Sequence, residues 1–184
     1  MNQSILGRYS RSENDVIVID VAAEKIEDLY NNFDRNAPYI RKDLGEDLVD
    51  YLEEAVSEIG TEEFVIRFHF TSPADLDVIS RVQDSIGNYF QYKKAREKRK
   101  LSIKIRTSTI YLLTGLVLLT LSIVFNRQTL STDSVVIHVL AQGLTIAAWI
   151  SLWEASANLL VHWTPHRRLM AIYERIARAP LTFQ

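Results

Sequence analysis

The sequence predicts a small α+β cytoplasmic domain of βααβα order with a two-stranded sheet, followed by a two-helix transmembrane hairpin and a C-terminal amphipathic helix. Three observations carry this. Two uncharged apolar runs, Thr107 to Phe125 and Ser134 to Trp153, are each close to the roughly 20 residues that a helix needs to cross about 30 Å of hydrocarbon. The first half alternates β-branched or aromatic runs with helical apolar stripes. Charge is divided steeply: residues 1–92 hold 19 acidic and 8 basic side chains, residues 93–184 hold 4 and 13, and the total is only −2.

Residues 1–14 contain Gly7, several serines and no periodic pattern, and are expected to be a flexible tail. The acidic α/β domain then occupies 15–92. Val16 to Ile19 is a continuous β-branched run, which favours a strand covered on both faces, closed by Asp20. Glu24 to Asn31 reads as a short helix with Ile26, Leu29 and Tyr30 inward, and Asn31, Asn32, Asp34 and Pro38 make a loop. Leu44, Leu48, Leu52, Ala55 and Ile59 repeat at helical spacing, with Gly60 at the expected C-cap. In the second strand, Phe64, Ile66, Phe68 and Phe70 fall on one face and Val65, Arg67 and His69 on the other. Ser72, Pro73 and Asp75 form a helix-start signature, and Leu76, Ile79, Val82, Ile86 and Phe90 continue the stripe toward a basic juxtamembrane helix over 93–106. One rod of roughly 80 Å running to residue 125, or a break near Leu101-Ser102, both fit this pattern. Two strands alone leave two open edges, so pairing between copies and a homo-oligomer are expected.

The positive charges orient the hairpin. Lys93, Lys94, Arg96, Lys98, Arg99, Lys100, Lys104 and Arg106 precede the first span (107–125), whereas the outer loop 126–133 offers only Arg127. Arg167, Arg168, Arg175 and Arg178 follow the second span (134–155). Lys and Arg are held on the cytoplasmic side, so both termini should be cytoplasmic. No cleaved signal peptide is expected, because the first apolar stretch begins at Thr107. Lys98, Arg99, Lys100, Arg106, Arg167, Arg168 and Arg175 are candidate contacts for anionic lipid head groups, at about 1 kcal/mol per well-placed cation. Nucleic-acid binding is not expected, since the basic run lacks interleaved aromatic side chains.

Within the spans, Tyr111, Thr114, Gly115, Leu118 and Ser122 share one face, and His138, Gln142, Thr145 and Trp149 share another. Packing between the two helices or between copies is the favoured reading; a proton or ligand path using His138 is the sharper one. Glu154, beside Trp149 and Trp153 at the inner end of the second span, is read either as interfacial and hydrated or as paired with a cation such as Arg106 or Arg168, pairing being preferred. In the final segment, 156–184, residues 166–179 form an amphipathic helix with Leu169, Ile172, Tyr173 and Ile176 on one side. It should lie along the interface or against the soluble domain, and Pro180 ends it.

Little in the chain speaks of chemistry. Zero cysteines exclude disulfides and thiolate sites, and the strongest nucleotide, protease, hydrolase and calcium motifs are absent. His162 and His166 have a metal-compatible spacing without a third ligand, and the acidic run Asp43 to Glu54 reads as a solvated helix face. No cofactor, metal or catalytic residue is therefore expected. Asp20, placed at the carboxyl end of the first strand, and His69 are weak ligand-site candidates.

The run Trp149-Ile150-Ser151-Leu152-Trp153-Glu154, then Trp163-Thr164-Pro165-His166-Arg167-Arg168, Leu169, Tyr173-Glu174-Arg175 and Ala177-Arg178-Ala179-Pro180, resembles the C-terminal signature of an uncharacterised family of small bacterial two-span inner-membrane proteins with an N-terminal cytoplasmic domain. Phe33-Asp34, Arg41-Lys42-Asp43-Leu44 and Asn88-Tyr89-Phe90 extend the likeness over most of the chain. The resemblance implies architecture and location, and no activity or binding residues. The expected function is a membrane-anchored, non-enzymatic scaffold or regulator whose cytoplasmic domain assembles with itself or with a cytoplasmic protein partner. The alternative is a subunit of an oligomeric transport or conductance element.

Overall fold

The computed structural model describes residues 6–12, 15–31, 33, 37–72, 76–129, 135–161 and 163–184. The chain divides into an α/β unit drawn from residues 1–96 and 169–184 and a helical unit drawn from 97–168.

The α/β unit is built on a four-stranded sheet of order β1-β2-β3-β4, where β1 is Ser10–Arg11, β2 Ile17–Ala23, β3 Phe64–Phe70 and β4 Leu181–Phe183. The expected two-strand sheet is thus corrected. Its central strands β2 and β3 are the two read from the sequence, and they pair in parallel, with Ile17 opposite Phe64 and Val21 opposite Phe68. The additions are short edges: β1 pairs antiparallel with β2 over two residues, and β4 pairs parallel with β3 over three. Pro180, which cannot continue a helix, turns the chain so that its carbonyl accepts from the Ile66 amide at 3.1 Å. Leu181 and Phe183 then alternate onto the core face, Phe183 stacking on Phe68 at 5.4 Å.

The βααβα order is also corrected. The segment expected as a first helix forms a single 3-10 turn at Ile26–Leu29, with a second turn at Tyr39–Arg41. Among the described residues the α-helices are α1 Glu46–Ile59, α2 Leu76–Thr129, α3 Val135–Val161 and α4 Trp163–Arg178. α1 ends at Gly60, whose φ of 71° is the left-handed cap that glycine adopts without a Cβ penalty. α2 is unbroken through Leu101-Ser102. Pro73 and Asp75 of the expected helix start lie outside the described residues. Within the expected tail, Leu6 and Tyr9 pack against the core and the Tyr9 hydroxyl donates to Glu58 at 2.6 Å; a Tyr body and a carboxylate acceptor anchor what composition alone reads as loose.

One core holds the unit together. Ile17, Ile19, Ile66 and Phe68 from the sheet, Leu52, Val56 and Ile59 from α1, Val82, Ile86 and Phe90 from α2, and Ile172, Tyr173 and Ile176 from α4 are all buried in it. Of the two placements open to the C-terminal amphipathic helix, the structure therefore has the one against the α/β domain. Phe90 meets Tyr173 at 6.0 Å between ring centres, and Lys94 pairs with Glu174.

In the helical unit, two helices are long and apolar enough to cross a membrane, and their most apolar windows are only 17% and 11% buried within the protein. A helix of a soluble core would have most of that surface covered. α2 and α3 run antiparallel: a Cβ on Gly115 would lie 2.9 Å from Leu152 Cγ and 3.3 Å from the Ala148 carbonyl, while Ser122 Oγ donates to the Ala141 carbonyl at 3.2 Å and shares a hydrogen bond with Thr145. Ser108 and Ser122 flank Gly115 at seven-residue steps on one side of this seam, and Ala141, Ala148 and Ala155 repeat at the same step on the other; all six are buried. A seven-residue step keeps one face of a slightly supercoiled helix toward its partner, and small side chains permit close approach.

Candidate functional site

Strand alternation puts Asp20, Arg67 and His69 on the sheet face opposite the core, because Asp20 is in register with Arg67 and Ala22 with His69. Arg67 grips the carboxylate with both nitrogens, Nε to Oδ1 at 2.7 Å and Nη2 to Oδ2 at 3.2 Å. Ser10 Oγ donates to Oδ2 at 3.0 Å, His69 Nε2 stands 3.4 Å from Oδ1, and the Tyr51 hydroxyl donates to the Asp20 carbonyl at 3.0 Å. The Arg67 hydrogen bonds, and those of Ser10 and His69, outweigh partial burial and hold the Asp20 carboxyl below its usual range. The two sequence candidates are therefore brought together, but Asp20 lies in the middle of β2 and not at its carboxyl end. Its partner of consequence, Arg67, was visible from the strand period once the register is known. The arrangement ties three strands together through a carboxylate that Arg67 and Ser10 hold.

The helical unit holds a second cluster. Glu97 on α2 is 7% exposed. His166 Nδ1 lies 2.8 Å from its Oε2, and Lys100 donates to its Oε1. Burial opposes the charge on Glu97, but the hydrogen bonds from Lys100 and His166 prevail and its carboxyl is held below the usual range. Glu97 was not among the sequence candidates. The only signal for it is that a single acid stands within the basic run Lys93 to Lys100.

The other candidates divide. Gly115 and Ser122 lie in the seam, as their shared face implies, whereas Thr114, His138 and Gln142 are exposed on the helices and do not enter it. Thr145 and Ala141 do, because a tight seam selects the side chains that let the backbones meet. Glu154 is exposed and accepts from Asn158 Nδ2 at 3.0 Å, four residues on, in place of the expected Arg106 or Arg168. Of the proposed head-group contacts, Lys98, Arg99, Arg106, Arg167 and Arg168 are exposed, while Lys100 is engaged with Glu97. Arg175 is removed from that set: its guanidinium donates to the carbonyls of Gly60 and Glu62 and lies 4.9 Å over the Phe64 ring, and burial pushes its pKa down. An Arg with a buried stem and a ring beneath it serves packing as much as charge. Among the described residues no group of three or more His, Asp or Glu is placed to hold a metal ion; His162 lies outside them. Comparisons with protein-family models, curated proteins and solved structures returned no match.

Proposed function

We propose that this chain is a membrane-anchored, non-enzymatic scaffold or regulatory protein. The α2-α3 hairpin spans a bacterial inner membrane with both termini cytoplasmic, and the α/β unit mediates self-assembly or binds a cytoplasmic protein. The observation that carries the reading is the seam: its small residues face each other within one chain, and the surface turned outward is apolar enough for lipid. Two helices packed in this way make an anchor and enclose no polar path. The charge-poor outer turn and the basic inner flanks support the orientation. Carbonate extraction of membranes and reporter fusions at each end test it; release into the soluble fraction, or an external terminus, would defeat it.

A second reading, a subunit of an oligomeric conductance element, has one observation in its favour: His138 and Gln142 are exposed outside the intramolecular seam and could face other copies. Mass measurement in mild detergent decides between them. A strict monomer removes the conductance reading, and a specific co-purifying protein supports the scaffold.

A further inference from the structure

We propose that two copies of this chain pair side by side in the membrane through one face of α3, the Gln142 amide of each hydrogen-bonded to that of the other. This goes beyond the anchor reading and rests on its membrane placement of the hairpin. Gln142 lies seven residues beyond Val135, the start of α3, which is about 10 Å along the axis at 1.5 Å per residue and near the middle of the uncharged run Ser134 to Trp153. It is exposed outside the α2-α3 seam and has no hydrogen-bond partner among the described residues. Asn158 gives the contrast: its amide donates to the Glu154 carbonyl of the same helix at 3.0 Å.

Hydrocarbon offers such an amide neither donor nor acceptor, and its side chain is too short to reach the interface as Lys and Arg do. His138 is exposed as well, but it stands in the first turn of α3, where head groups and water solvate it. An amide carries both donor and acceptor, so two amides related by a two-fold axis satisfy each other. Copies inserted with the same orientation present α3 in parallel and at the same depth. Gln142 therefore meets its own counterpart with no adjustment of register.

The surface around Gln142 has the spacing of a helix-helix contact. Val135, Val139, Gln142, Ile146, Trp149 and Trp153 follow one another at alternating steps of four and three residues, and all six are exposed. This is the a/d repeat of a helical seam. Gln142 and Trp149 each follow by one residue the buried Ala141 and Ala148 of the seam with α2, a turn of about 100° around the helix, so this stripe stays open when the hairpin is closed. Its apolar members are satisfied by lipid. One polar residue in an a/d stripe, by contrast, fixes register and copy number, and Gln142 makes this face specific for a second copy.

The chain has no cysteine, so single introduced cysteines report contacts between copies. In membranes holding the full chain, Val139→Cys and Ile146→Cys should form disulfide-linked dimers on oxidation, whereas Val136→Cys and Leu140→Cys, exposed on other sides of α3, should not. In mild detergent the native chain should have the mass of two copies. Gln142→Leu should move the monomer-dimer midpoint to a protein-to-detergent ratio about three- to thirtyfold higher, Gln142→Asn, which keeps the amide, by a smaller factor, and His138→Leu by less than about twofold. Equal cross-linking at all four positions, or an unmoved midpoint in Gln142→Leu, would overturn the contact. A strict monomer would leave the face to lipid and a mass above two copies would indicate a ring; either overturns it equally. Carbonate extraction reports on the anchor separately: release fails the anchor, whereas protein that is retained but does not cross-link at Val139→Cys or Ile146→Cys fails the pairing alone.

Discussion

The Glu97 carboxylate and the His166 imidazole, both within the helical unit, meet at 2.8 Å across 69 residues of sequence. Glu97→Ala removes the acceptor of both His166 and Lys100 at a nearly buried position. It should cost about 1–3 kcal/mol, the range for leaving buried polar partners unmatched. The pH dependence has a definite sign. Folding lowers the Glu97 pKa below its ordinary 4.5, so its contribution is present above that pH and is lost as pH falls through the lower folded value. Thermal unfolding in detergent between pH 6 and pH 3 should therefore show a steeper loss for the native chain than for Glu97→Gln.

Two glycines of the hairpin should respond oppositely to the same change. A Cβ at Gly115 meets Leu152 Cγ at 2.9 Å and the Ala148 carbonyl at 3.3 Å, whereas at Gly143 nothing lies within 4 Å. The Leu152 end is flexible but the carbonyl is not, so Gly115→Ala should separate the helices at an overpacking cost of about 1–3 kcal/mol. Gly143→Ala should be neutral or stabilising by up to about 1 kcal/mol through helix propensity. Unfolding of the two variants in one detergent checks this; equal effects would mean that Gly115 is not in a tight seam.

Much of this was legible in the chain. The two central strands follow from Val16 to Ile19 and from the two-residue period of Phe64 to Phe70, and the inward face of α4 from Leu169, Ile172, Tyr173 and Ile176. The edges were not, because two- and three-residue strands carry no period; Ser10–Arg11 and Leu181–Phe183 exist through pairing with a sheet already formed. In the hairpin, attention to polar side chains favoured Thr114, His138 and Gln142. The discriminating signal was size: Ser108, Gly115 and Ser122 against Ala141, Ala148 and Ala155, both at seven-residue steps. Glu97 escaped, and Arg67 was read only as part of its strand face, because a charge acquires its role only from partners that folding supplies.

Asp20→Asn tests what the open sheet face contributes. The Asp20 side chain is 43% exposed, so solvent screens its pairing with Arg67 and the loss should stay below about 1 kcal/mol. Because the Asp20 carboxyl is held below its ordinary 3.8, this small contribution is present above that pH and disappears as pH falls through the folded value. A larger effect in chemical denaturation at pH 7, or binding of a ligand lost in Asp20→Asn with folding intact, would show that the cluster does more than join strands.

Truncation after Pro180 asks whether the chain's last residues belong to the fold. It deletes β4 and with it the amide of Gln184, which donates to the Phe68 carbonyl at 2.8 Å, and the Gln184 carbonyl that accepts from the Phe70 amide at 3.0 Å. It also removes the Phe183 ring stacked on Phe68 and Phe70. The β3 edge would then be open, with unpaired backbone groups beside a row of phenylalanines, the condition that invites strand addition by another chain. The truncated protein should lose about 3 kcal/mol or more, in the range of deleting a packed Phe, and should form larger assemblies in mild detergent. Phe183→Ala, which keeps the ladder and removes only the ring, separates the two causes: it should lose stability without gaining mass. If truncation leaves both unfolding and mass unchanged, β4 is not a working edge of this sheet.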